Sequence, residues 1–150
     1  MRRRGFRNWE NSLKENGYKL TNPRKTILEA LERRGGHPNA REILLELSRK
    51  NSEIGLTTIY RTLDLFVKLG ILKRYDFGDR QNRYELFSED NEHHHHLICK
   101  KCIKVIEYDD FLDEETTLIK KIEKMLTEKY DFVIDKHELT FYGYCKNCRK

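Results

Sequence analysis

Along the first seventy residues, apolar positions recur every three or four residues and are broken at glycines. Phe6, Trp9 and Leu13 predict a short helix over residues 7–16 that Gly17 stops. Ile27, Leu28 and Leu31 predict a second helix. It opens at Thr21-Asn22-Pro23, where a capping residue precedes a proline preset for the first turn, and closes at Gly35-Gly36. Asn39, with Glu42 three residues on, predicts the start of a third helix that turns Ile43, Leu44 and Leu47 inward. In the fourth, from Thr57 to Gly70, Ile59, Leu63, Phe66 and Val67 form the buried face, with Thr57, Tyr60, Arg61, Asp64 and Lys68 opposite. The period then changes. Residues 71–77, the turn-rich Gly78-Asp79-Arg80-Gln81-Asn82 and residues 83–87 predict a β-hairpin. Helices followed by a hairpin are the plan of a winged helix-turn-helix whose fourth helix enters a major groove, although protein-interaction modules share that plan.

The second half reads as a small α/β domain. Residues 97–108 are strand-like but interrupted at Cys99-Lys-Lys-Cys102, and Leu118, Ile119, Ile122, Met125 and Leu126 predict one face of an amphipathic helix. Residues 132–134 and 138–144 are strand candidates, with Leu139, Phe141 and Gly143 alternating against Thr140, Tyr142 and Tyr144. A small sheet with one helix leaves edges that pair readily across a two-fold axis, so this half is expected to dimerise. The expected class is α+β, with a winged helix-turn-helix over residues 1–87 and an α/β dimerisation domain over 88–150.

Charge sharpens that division. Residues 1–87 hold 19 Lys and Arg against 11 Asp and Glu, whereas residues 88–150 hold 11 against 14. The basic front half, opening Met-Arg-Arg-Arg-Gly-Phe-Arg, suits a phosphate backbone, though such an arm can also be a solvated tail. Tyr60 and Thr57 are candidates for thymine methyl groups and Arg61 for a guanine edge or a phosphate. Lys68, Lys73, Arg74 and Arg24 are candidates for the backbone. With a mean hydropathy of −0.85 and no apolar stretch long enough for a membrane span or signal core, a cytoplasmic protein with no membrane partner is expected. In that reducing compartment, cysteines serve as metal ligands or redox thiols more often than as disulfides.

All four cysteines fall in two matched pairs, Cys99-Lys-Lys-Cys102 and Cys145-Lys-Asn-Cys148. Four thiolates suit tetrahedral Zn²⁺, and the β-α-β context of a thioredoxin-like redox site is missing, so a structural zinc site is expected. Just before the first pair runs Glu92-His93-His94-His95-His96. In an extended strand His94 and His96 point one way and His93 and His95 the other, giving two imidazole pairs that are either surface histidines or metal ligands. Imidazoles joined by carboxylates favour Fe²⁺, Mn²⁺ or Zn²⁺. A zinc hydrolase lacks support, because the chain has no His-Glu-x-x-His stretch and no domain large enough to enclose a small-molecule substrate.

Taken together, Leu20-Thr21-Asn22-Pro23-Arg24, Gly55-Leu56-Thr57-Thr58-Ile59-Tyr60-Arg61-Thr62-Leu63, Arg83-Tyr84-Glu85-Leu86, residues 93–102, Lys104-Val105-Ile106-Glu107 and residues 137–148 resemble the ferric uptake regulator family over nearly the whole chain. The resemblance implies a homodimeric winged-helix repressor of operator DNA with structural zinc and one or two sensing-metal sites. Carried over by position, the sensing site is His37, Glu85, His94, His96 and Glu107, with Fe²⁺ the expected ion and Mn²⁺ or Zn²⁺ the alternatives. A second site is His93, His95, Glu114 and His137. There His95 departs from the family, whose iron-sensing members usually have aspartate. Peroxide-sensing members typically have aspartate at the position of Glu107, and zinc-sensing members often use a cysteine, of which none is left over here.

Overall fold

The computed structural model describes residues 3–87, 95–108, 112–135 and 137–149, the side chains of residues 3–8 and 112 excepted. The chain divides into two compact units, Met1–Asp90 and Asn91–Lys150. The first holds α1 (Arg3–Glu15), α2 (Asn22–Arg34), α3 (Ala40–Ser48), α4 (Leu56–Lys68) and the antiparallel hairpin β1 (Leu72–Asp76) and β2 (Asn82–Leu86). The predicted stripes meet in one core. Leu13 of α1, Ile27, Leu28 and Leu31 of α2, Ile43 and Leu47 of α3, and Ile59, Leu63 and Phe66 of α4 are each at most 2% exposed, and Leu72 and Tyr84 of the hairpin join them. Each such apolar side chain contributes about 1.5–3 kcal/mol by leaving water.

Helix ends follow local chemistry. At α3 the Glu42 N–H donates to Asn39 Oδ1 at 2.9 Å while the Asn39 N–H donates to Glu42 Oε2 at 3.0 Å, the reciprocal cap the sequence predicts. Asn39→Ala is expected to cost about 1 kcal/mol, read as a lower urea midpoint with an unchanged slope. At α2 the cap falls one residue earlier than predicted. Thr21 occupies it without a side-chain capping bond, and Asn22 and Pro23 lie in the first turn. The first helix begins at Arg3 rather than residue 7.

The second unit holds β3 (His95–Cys99), β4 (Val105–Tyr108), α5 (Leu112–Tyr130) and β5 (Thr140–Gly143). Its sheet has the order β4-β3-β5, with β3 antiparallel to β4 and parallel to β5. The strand-like stretch over 97–108 forms two strands broken at the first cysteine pair, as expected, and that over 138–144 shortens to β5. The strand predicted at 132–134 does not form. Residues 132–135 belong to no helix or strand, and Val133 is 88% exposed, because strand-forming residue types need a neighbouring strand to pair with. On α5, Ile119, Ile122 and Leu126 are half-buried, but Leu118 and Met125, expected on the same face, are exposed. Across the sheet Ile106, Leu97 and Phe141 stand side by side, each 40–50% exposed, an apolar stripe of the kind that associating surfaces carry. Among the described residues no helix is long and apolar enough to cross a membrane.

Candidate metal centres and nucleic-acid interface

The parallel pairing of β3 with β5 sets Cys99 opposite Gly143, so the two cysteine pairs arrive at the same end of the sheet. The Lys100 N–H donates to the Gly143 carbonyl at 2.8 Å and fastens the first turn to the strand that leads into the second pair. That first turn closes with the Ile103 N–H on the Cys99 carbonyl, which places Ile103, a β-branched residue, in the left-handed region at φ 53°. All four sulfurs lie within 4.8 Å of one another, and Cys102 Sγ is 3.7 Å from Cys145 Sγ. A tetrahedral ion with bonds of about 2.3 Å spaces its sulfurs by about 3.8 Å, so this donor set fits Zn²⁺. The Cys99 thiol is brought down to about 6, first by the backbone N–H of Cys145, which donates to its sulfur at 3.4 Å, and then by that of Cys102. Cys148 is pushed up to about 12, chiefly by the hydrogen bond it shares with Cys145 and then by burial.

In the first unit, the turn at Gly35 and Gly36, with φ of 63° and 61°, reverses the chain after α2 as few residues other than glycine can. The segment that follows lies along β2. The Tyr84 N–H donates to the Pro38 carbonyl, Asn39 bridges Arg83, and Arg83 Nη1 donates to the His37 carbonyl at 3.2 Å. These contacts bring His37 Nε2 to 3.6 Å from Glu85 Oε2, both side chains being buried. The same oxygen accepts a hydrogen bond from the Tyr75 hydroxyl, at 2.9 Å.

In the second unit, His96 on β3 stands directly opposite Glu107 on β4. His93 and His94 lie outside the described residues. His95 and His96 are both buried, which excludes the reading of these two as surface histidines. For the second site the structure departs from the carry-over. The carboxylate beside His95 is that of Glu115, with Oε1 2.7 Å from Nε2, whereas Glu114, the next residue back on α5, faces solvent. A helix turns about 100° per residue, so a shift of one position moves a side chain off the sheet-facing side. His137 Nδ1 lies 3.0 Å from Glu123 Oε1, eight residues further along α5.

On α4 the split of faces holds. Ile59, Leu63 and Phe66 are buried, while Thr57, Tyr60, Arg61, Asp64 and Lys68 are exposed. Asp64 approaches Arg74 at 3.8 Å, so part of that arginine's charge is already matched. Arg24 is half-buried, its Nη1 donating to the Lys19 carbonyl at 2.6 Å and its guanidinium lying over the Tyr18 ring. At the tip of the hairpin Arg83 donates to Asp79 Oδ2 from both Nε and Nη2, at 3.1 and 2.8 Å. Sequence reasoning passed over Tyr75, Arg83, Glu115 and Glu123. The hairpin register, which leaves no sequence signal, discloses the first two, whereas Glu115 stands four residues before Ile119 on the apolar stripe of α5, a signal that the sequence carried.

The model of the ferric uptake regulator family matches residues 15–142. The chain is 38% identical over 138 residues to the ferric uptake regulation protein of Bacillus subtilis (strain 168), covering 91% of this chain and 89% of that one. To the peroxide-responsive repressor PerR of Staphylococcus epidermidis it is 33% identical over 140 residues, covering 93% and 87%. It is also similar to the solved structure of the ferric uptake regulator from Francisella tularensis with iron, at 31% identity and a TM-score of 0.75, covering 89% and 96%.

Proposed function

The chain belongs to the ferric uptake regulator family, whose members are metal-responsive transcription regulators and not enzymes, and on that premise we propose that it is a repressor that binds operator DNA as a homodimer when a divalent cation occupies a regulatory site. Fe²⁺ is the proposed ion, a reading supported by the Francisella relative's structure with iron, and Mn²⁺ and Zn²⁺ are the alternatives. His37 and Glu85 are the proposed ligands from the first unit, and His94, His96 and Glu107 those from the second. The observation that carries this reading is that each unit by itself sets an imidazole beside a carboxylate: His37 against Glu85, and His96 across from Glu107. A cation held by ligands of both units ties them at one angle; in a dimer that angle fixes the spacing of two α4 helices against successive half-sites. Cys99, Cys102, Cys145 and Cys148 hold a structural zinc in this scheme. His93 and His95 are the proposed ligands of a second site, with Glu115 in place of Glu114, while His137 stands against Glu123, about two turns further along α5.

Thr57, Tyr60 and Arg61 are the proposed base-reading residues, and Lys68 and Arg24 the proposed phosphate contacts, all within the cytoplasm. The test is selection of an operator from random duplex DNA, followed by anisotropy titration with and without Mn²⁺ or Fe²⁺. Tight binding is expected only with metal, and Arg61→Ala is expected to weaken it by about tenfold to a hundredfold at unchanged metal content. Binding that ignores every divalent ion would overturn the reading. Similarity to the Staphylococcus repressor supports a second reading, peroxide sensing. It requires oxygen to be added at His37 or His94 after iron and peroxide treatment, which peptide mass spectrometry detects.

A further inference from the structure

One side chain beside His37 and Glu85 takes no part in the scheme above. Tyr75 on β1 pairs with Arg83 on β2, which puts Glu85 diagonally across on the same face, within reach of a long aromatic side chain. Its hydroxyl donates to Glu85 Oε2 at 2.9 Å, the same oxygen that lies 3.6 Å from His37 Nε2. The ring is held from two directions. It stacks on Phe77 with centroids 5.5 Å apart and meets His37 edge-on at 5.1 Å, while Phe77 meets His37 edge-on at 5.5 Å. The phenol is therefore a fixed donor aimed at one oxygen of one carboxylate.

We propose that Tyr75 is the positioning residue of the regulatory cation site, its hydroxyl holding Glu85 in the one rotamer that presents the remaining carboxylate lone pairs to a cation. The inference rests on the function proposed above. An ionised carboxylate has about four lone-pair directions, and an O–H that occupies one of them limits rotation of the group and disfavours chelation through both oxygens. Partners of this kind behind a metal ligand are worth about tenfold to a hundredfold in metal affinity. The ring contacts with Phe77 and His37 need no hydroxyl, so packing alone does not account for tyrosine here.

The test uses the full-length, zinc-loaded protein titrated with Mn²⁺ alone, the free ion being followed by electron paramagnetic resonance. Wild type, Tyr75→Phe, Glu85→Ala and the double variant are compared. Tyr75→Phe keeps the ring and is expected to weaken Mn²⁺ binding by about tenfold to a hundredfold, with zinc content unchanged and the protein still folded at the assay temperature. In the Glu85→Ala background the same substitution is expected to have no further effect, because the hydroxyl then has no carboxylate to act through. Wild-type affinity in Tyr75→Phe alongside lost affinity in Glu85→Ala overturns the role of Tyr75 and leaves the regulatory site standing. Equal losses in both backgrounds also overturn it, since Tyr75 would then act independently of Glu85. Undiminished Mn²⁺ binding by Glu85→Ala removes the regulatory site and this inference together.

Discussion

Replacing Cys99 with serine is expected to take the zinc content from about one ion per chain to near zero and to unfold the second unit while the first stays folded. The asymmetry follows from the two cores. Residues from four helices and the hairpin interlock in the first unit, whereas among the described residues of the second only Ile98 and Cys99 are buried apolar side chains. A core that small offsets little of the chain entropy of sixty residues, and zinc held by the cysteine cluster is expected to supply much of the difference. Structural zinc binding releases about 10–16 kcal/mol in small zinc-dependent peptides, comparable to or larger than the whole stability of an ordinary domain. Elemental analysis gives the stoichiometry, and hydrogen exchange resolved along the chain gives the separate fates of the units. A Cys99→Ser protein that keeps its zinc and the protection of β3 and β5 would sink the assignment.

Proton competition gives the same site a pH signature. Loading must displace thiol protons, above all that of Cys148, whose hydrogen bond with Cys145 holds it above the usual thiol range, whereas the backbone N–H groups at Cys99 hold that thiol below it. Zinc affinity therefore falls as pH falls, and most steeply once Cys99 also takes up a proton.

The second large effect is expected from Glu85→Ala and from His96→Ala, each of which removes one proposed ligand from a different unit. If Mn²⁺ tightens operator binding by about a hundredfold in the wild type, each variant is expected to respond by less than about threefold, with zinc content and metal-free DNA affinity unchanged. The reason is thermodynamic. A cation shifts the arrangement of the units only by the difference in its affinity for the competing arrangements, and a cation bound by one unit alone has no such preference. Linkage supplies an independent check: operator DNA must tighten Mn²⁺ binding by the same factor by which Mn²⁺ tightens DNA binding, and that mutual effect must vanish in both variants. A full metal response from either variant would show that the response does not pass through these two residues.

The helical half was legible because its information is local. The 3.6-residue period of Ile59, Leu63 and Phe66 fixes the face of α4 that is buried, and therefore the face that shows Tyr60 and Arg61. Asn39 and Glu42 cap α3 through bonds three residues apart, a distance at which sequence spacing is geometry. The same locality failed at residues 132–134, whose composition suits a strand but which pair with no neighbour. It also failed at Glu114, where one residue of helix phase separates an exposed carboxylate from Glu115 against His95.

By itself the sequence determined the winged-helix plan, the division of charge between the halves, the two matched cysteine pairs and the family to which their order belongs. The sequence called for one four-cysteine site, and tertiary structure decided how it closes, with β3 and β5 running parallel and Cys99 opposite Gly143. The resemblance grouped His37 with Glu85, and tertiary structure decided that they meet under the hydroxyl of Tyr75, because that arrangement requires a segment after α2 to lie along β2 and a diagonal contact across the hairpin. Helix periods are set by bonds between near neighbours and can be read along the chain, whereas these meetings join residues forty or more positions apart, or across a strand register, and exist only once the chain has folded.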